Sequence, residues 1–191
     1  MYYIATIIVI ANILSVIYAA NNNRRTWFIG LIATVLTTIV FFNDKHFMSF
    51  LYNLYSSIMC LAGIICWEKN KKDNERSLIR GNITISVCAN IILFVIIYLI
   101  DAFVFNSNNS ILDSIGTSTA ILGTYLLVKK DINSWYFWIV GDIAYCTLSF
   151  ANDDYKYIII YGTLLICAIY GCVKNNKLYN KKFYETIRKT F

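Results

Sequence analysis

The stretch Asn133-Ser134-Trp135-Tyr136-Phe137-Trp138-Ile139-Val140-Gly141-Asp142 opens an apolar run that reaches Phe150. Wound as a helix at about 1.5 Å per residue, Trp135 to Phe150 crosses most of a bilayer. At about 100° per residue, Trp135, Trp138, Asp142 and Tyr145 project at about 0°, 300°, 340° and 280°. Two indoles, a carboxylate and a phenol therefore share one stripe. An acid in the middle of a membrane helix costs about 2.5–3.5 kcal/mol on insertion scales, so Asp142 must face protein or water. An aromatic face that carries one anion suits a flat, positively charged organic solute. The competing reading makes both tryptophans interfacial belt residues and Asp142 a helix-packing hydrogen bond.

The rest of the chain has the same apolar character. Hydrophobic residues make up 58% of the 191 and charged residues only 15%, with a mean hydropathy of +0.56. Soluble domains carry about 25% charged residues, so the composition predicts an integral membrane protein. The sequence holds no proline, which fits uninterrupted helices and leaves bending to Gly or Ser/Thr. Cys60, Cys66, Cys88, Cys146, Cys167 and Cys172 lie in or beside apolar runs without a Cys-x-x-Cys pair, and they read as small core hydrophobes. His46, the sole histidine, falls in a polar loop, so neither a metal site nor a cofactor is expected. Without a nucleophile–base pair or a GxxxxGK[ST] loop, the pattern argues against an enzyme and against an ATP-driven pump.

Seven spans follow from the apolar runs: about Tyr2–Ala20, Thr26–Phe42, Phe47–Trp67, Ile83–Phe105, Ile111–Val128, Trp135–Phe150 and Tyr157–Val173. This is one transmembrane domain over residues 1–173, followed by a basic tail, 174–191. The tail mixes Lys and Arg with Tyr, Phe and Ile, which suits either the anionic inner leaflet or a solvated terminus. The net charge of +6 is no nucleic-acid signature, because the basic residues gather in alternate loops. Of 17 Lys and Arg, all but Lys45 and Lys156 fall on one side. The positive-inside rule then puts the amino terminus outside and the carboxyl terminus in the cytoplasm, in a cell (inner) membrane. Asp101, at the outer end of span four, is expected to mark the interface.

A shift of 108 residues superposes Ile13-Leu14 on Ile121-Leu122, Trp27 on Trp135, Phe42 on Phe150 and Gly63 on Gly171. Span boundaries superpose as well. Repeat one (about 2–67), a linker helix (about 83–105) and repeat two (about 111–173) make a 3+1+3 layout. The odd linker span keeps both triplets in the same orientation, a parallel repeat of the SWEET-like kind. Polar residues occur inside most spans: Asn12 and Ser15, Thr34, Thr37 and Thr38, Asn53 and Ser56, Asn90, then Asp113, Thr117 and Thr124. Singly each is an interhelical hydrogen bond; together they are expected to line a shared cavity. Substrate candidates are therefore Trp135, Trp138, Asp142 and Tyr145, with Asn53, Asn90 and Thr124 for hydroxyls, and Trp27 as the counterpart of Trp135.

With these residues in place the chain resembles the PnuC family of vitamin-precursor transporters. Asp113-Ser114 opens span five, Lys129-Lys130 closes it, and Trp135-x-x-Trp138 matches the family's Trp-x-x-Trp motif; Tyr155, Tyr161 and Gly171 continue the pattern. In the first half Gly30, Phe41-Phe42, Asn53, Gly63 and Trp67 look like their family counterparts. The resemblance implies a seven-helix fold, a homotrimer and a central site. It also implies uptake of nicotinamide riboside by facilitated diffusion, with the solute trapped afterwards by cytoplasmic phosphorylation or pyrophosphorylation. The departures are informative. Trp27-Phe28-Ile29-Gly30 lacks the usual proline, Asp142 stands where the family has Asn, Asn53 where it often has Gln, and Thr124 where a Gln is common. A cationic solute such as nicotinamide riboside fits Asp142, and thiamine, carried by close relatives of the family, fits it equally. A scaffold that transports nothing, and coupling of transport to protons, remain open at this point.

Overall fold

The computed structural model describes residues 2–43, 47–69, 78–104, 109–153 and 155–190. Seven helices run α1 (Tyr2–Ala20), α2 (Arg25–Asn43), α3 (Phe47–Lys69), α4 (Ile83–Phe103), α5 (Ser110–Val128), α6 (Ser134–Ala151) and α7 (Tyr155–Thr190). Among the described residues, four helices are long and apolar enough to cross a membrane, and the apolar segments Thr6–Ala20 and Arg25–Val40 are shorter. His46, Lys45, the side chain of Lys156 and the far end of span four at Phe105 lie outside the described residues.

The 108-residue offset holds in three dimensions. Trp67 Nε1 donates to the Val128 carbonyl at 3.0 Å, and Asn175 Nδ2 donates to the Ala20 carbonyl at 3.2 Å. Each donor and each acceptor is the other's counterpart under the shift. The two buried clusters correspond in the same way: Trp27, Cys60, Trp67 and Val128 in one, Trp135, Ala168 and Ala20 in the other. Even the turns agree. Asn22 and Lys130 both adopt positive φ (52° and 59°). One residue on, the side chains of Asn23 and Asp131 accept from the amides of Arg25 and Asn133 at 3.0 and 2.9 Å. Helices α1, α2 and α3 pack in sequence, as do α5, α6 and α7, and the two triplets meet along α1 with α7 and α3 with α5.

Helix α4 stands apart and packs on α5. Its entry is tied to the α5–α6 turn, where Asp131 Oδ2 accepts from the Gly81 amide at 3.0 Å and Asn133 Nδ2 donates to the Gly81 carbonyl at 2.9 Å. Asn82 then caps α4 by accepting from the Thr84 and Ile85 amides.

One expectation is corrected here, that the cysteines are all core residues. The basic stretch is helical, because α7 continues unbroken from Tyr155 to Thr190. Neither Gly nor Pro follows Gly171 to stop it, and Asn175 and Asn176 bond back to the carbonyls of Gly171 and Cys172. Asp101, two residues from the end of α4, is buried at 2% exposure. Cysteines are not uniformly core residues: Cys60 is buried and Cys88, on the outer face of α4, is exposed.

Candidate functional site

Between the two triplets lies a cavity of about 1230 Å³, lined by α1, α2, α3, α5, α6 and α7. It contains Trp135, Trp138, Asp142, Tyr145, Asn53, Thr124 and Trp27. Seven of the eight expected residues are thus brought together. Asn90 is the exception: it sits on α4, outside the lining, and does not contribute to the cavity. The physical reason is that α4 touches the bundle through α5 rather than inserting between the triplets.

Glycines set the positions of the aromatic side chains. Trp135 is 2% exposed because its ring lies on Gly171, where a Cβ would come within 2.4 Å of it. Trp27 lies on Gly63 in the same manner, at 2.2 Å. Both indoles close the end of the cavity beside the basic loops. Trp138, half-buried, rests its pyrrole edge on Gly123, 3.1 Å from where a Cβ would stand. Its Nε1 is buried without a hydrogen-bond partner. Glycine at 123 is what lets an indole fit between α5 and α6.

Asp142 follows Gly141, where α6 approaches α5 so closely that a Cβ would meet Thr119 Oγ1 at 2.7 Å. The Asp142 side chain is 4% exposed, and among the described residues no side chain hydrogen-bonds to it. One turn away, Tyr145 packs its ring on Gly116 and shares a hydrogen bond with Thr117 Oγ1 at 2.9 Å. Its ring stacks on Tyr161 with centroids 4.9 Å apart, and Tyr161 stacks on Tyr157 at 6.2 Å.

The opposite wall is neutral and polar. Ser57, outside the lining, has its Oγ 3.0 Å from Thr34 Oγ1 and 2.9 Å from the Asn53 carbonyl, with one proton to give to either. Thr124 Oγ1 donates to the Ala120 carbonyl at 2.8 Å, so its hydroxyl proton is already engaged. Asn12, Ser15, Thr37 and Ser56 complete that side. Among the described lining residues there is no Lys, Arg or His. Among the described residues, no group of three or more His, Cys, Asp or Glu is placed to hold a metal ion.

Sequence reasoning missed Tyr52, Tyr157 and Tyr161 as lining residues. The signal for Tyr161 was present, since the 108-residue shift sets it on Asn53, already a candidate. No comparable signal marks Tyr52, whose counterpart is Ile160.

A family model described as "Nicotinamide mononucleotide transporter" matches residues 2–177. Among solved structures, one described as "Crystal structure of the Vitamin B3 transporter PnuC" superposes with a TM-score of 0.75 at 19% identity, over 94% of this chain and 83% of that one. That likeness is one of fold. Among curated proteins, none matches the sequence.

Proposed function

Because the chain belongs to the nicotinamide mononucleotide transporter family, and so is a multi-pass membrane transporter and not an enzyme, we propose that its solute is a riboside, nicotinamide riboside. The observation that carries this reading is Asp142, a buried carboxylate that faces the cavity beside Trp138 and takes no hydrogen bond from the described residues. A pyridinium ring supplies the missing positive charge. A mononucleotide would bring a phosphate into a lining that holds Asp113 and Asp142 and, among described residues, no cation. Two carboxylates in the lining repel it, more strongly than they would in bulk water.

The ring stacks on Trp138, with a cation–π contribution of up to about 2 kcal/mol when desolvated. Its ribose meets the hydroxyl of Thr34 and the amide of Asn53. Thiamine, also a cationic heterocycle, is the second reading, and Asp142 favours it for the same reason. Transport in this reading is downhill, through a homotrimer whose amino termini are outside, with the solute trapped by later phosphorylation. Proteoliposomes that lack any kinase, yet accumulate the riboside above its external concentration, would remove the downhill step.

Asp142→Asn tests the central claim. Losing a charged hydrogen-bonding partner costs about 1.5–3 kcal/mol, a rise in dissociation constant of roughly tenfold to hundredfold for the cationic riboside. The neutral, reduced riboside should lose far less. Equal losses for both solutes would make Asp142 a packing residue and end the ion-pair reading.

A further inference from the structure

The cavity holds a second carboxylate that the riboside site leaves unused. Asp113 lies in the first turn of α5 and faces the cavity at the end opposite Trp27 and Trp135. Thr117 Oγ1 reaches its Oδ1 at 3.4 Å, and Thr117 is itself 2.9 Å from the Tyr145 hydroxyl. The hydroxyls can therefore point in series toward the carboxylate, each donating to the next. Tyr145 in turn begins the stacked column Tyr145–Tyr161–Tyr157, whose last ring is 43% exposed. All of these groups line the same cavity.

Depth along the cavity follows from helix geometry. Asp142 sits at the level of Thr119, which its neighbour Gly141 touches. From Asp113 to Thr119 is six residues of α5, about 9 Å of rise. A monovalent organic cation can thus leave one carboxylate and reach the next within about its own length. Asp113 also lies at a helix amino terminus, where the dipole favours an anion. A purely structural role would end there. The position in the cavity wall and the tyrosine column beside it have no place in that role.

We propose that Asp113, with Thr117 and the Tyr145–Tyr161–Tyr157 column, forms an outer station for a flat organic cation, two turns above the Asp142 site. The station rests on the riboside reading above for its ligand class. Its work is kinetic: it captures the cation at the Asp113 end of the cavity and delivers it to Asp142. Focusing by a carboxylate in a low-dielectric cleft raises association rates by about tenfold or more, and salt removes the gain. The contacts that hold the bound cation remain with Asp142 and Trp138, and what Asp113 adds to affinity enters through the association rate alone.

Stopped-flow tryptophan fluorescence on the purified full-length chain tests this, with nicotinamide riboside and thiamine as cations and reduced nicotinamide riboside as the neutral probe. In the wild type, association of both cations should slow with added salt, and that of the neutral riboside should not. Asp113→Asn should slow cation association about fivefold to tenfold, flatten its salt dependence and leave dissociation within twofold; Asp113→Glu should restore most of the rate. Asp142→Asn should do the reverse, raising dissociation while keeping the salt-dependent association. That last arm, and the wild-type salt series, stand even if Asp113→Asn fails to fold. Equal slowing of charged and neutral ribosides, salt dependence lost in Asp142→Asn, or sodium dependence of binding that vanishes in Asp113→Asn would each overturn the outer station. Each of these outcomes leaves the Asp142 site standing. Binding of neither cation by the wild type would overturn both.

Discussion

The two triplets share a backbone plan and differ in what they present to the cavity. Where repeat two places Trp138 against Gly123, repeat one places Gly30 against Ser15, with a Cβ at 30 only 3.0 Å from the Ser15 hydroxyl. Asp142 corresponds to Thr34, Tyr145 to Thr37 and Tyr161 to Asn53. One half supplies most of the rings and both carboxylates; the other supplies small hydroxyls, an amide, Trp27 and Tyr52. A solute with a cationic ring at one end and a sugar at the other matches that division in only one direction. The residues that hold the halves together, by contrast, remain matched: Trp27 on Gly63 and Trp135 on Gly171, Trp67 to Val128 and Asn175 to Ala20. Symmetry is kept where the protein is packed and given up where it faces the solute.

The largest expected effects lie at the matched positions. Gly63→Ala and Gly171→Ala each drive a methyl to within 2.2 and 2.4 Å of an indole ring. Overpacking of this kind costs about 1–3 kcal/mol or more, because ring and helix must separate. Both variants should lower the thermal midpoint of the purified protein by similar amounts. Gly162→Ala, with nothing within 4 Å of the new methyl, should leave it unchanged. A large loss in one repeat with none in the other would mean that the two closing contacts are not equivalent.

Much of this plan is legible before any coordinates are seen, for identifiable reasons. A tryptophan on a glycine restricts both residue types, so Trp27 with Gly63 and Trp135 with Gly171 survive as identities in the 108-residue shift. Trp67 and Asn175 play one role without looking alike. A backbone carbonyl needs only an N–H, and an indole and an amide both have one. Such a pair is invisible to a search for identical residues. Asn90 misled because a polar residue in a span says nothing about where its helix sits: Asn90 Oδ1 is buried, yet no residue of α4 lines the cavity. Only the packing of α4 on α5 settles that. The length of α7 was hidden because its apolar run stops near Val173 while the hydrogen bonds that continue the helix come from Asn175 and Asn176. Tyr161 enters the sequence reading as part of the family pattern and Tyr157 only as the start of span seven. Their stacking on Tyr145 depends on how α7 lies against α6.

The smallest expected effect probes the difference between the halves most directly. Thr34 is the counterpart of Asp142, and its hydroxyl accepts from Ser57 at 3.0 Å while donating to the Leu31 carbonyl at 3.2 Å. Thr34→Val keeps the shape and removes both bonds. Interhelical hydrogen bonds of this kind average about 0.6 kcal/mol in membrane proteins, so stability should fall only slightly. The effect on the solute is the informative part. If repeat one holds the sugar, Thr34→Val should weaken the cationic and the reduced riboside alike, by about threefold, since both carry the same hydroxyls. That is the opposite selectivity to Asp142→Asn, which should separate the two solutes. Free N-methylnicotinamide, a pyridinium without ribose, should respond to Asp142→Asn and ignore Thr34→Val. Isothermal titration of the three compounds against both variants reads out the whole pattern. A Thr34→Val loss confined to the charged compounds would place the ring, and not the sugar, against repeat one, and the division of labour between the halves would have to be reversed.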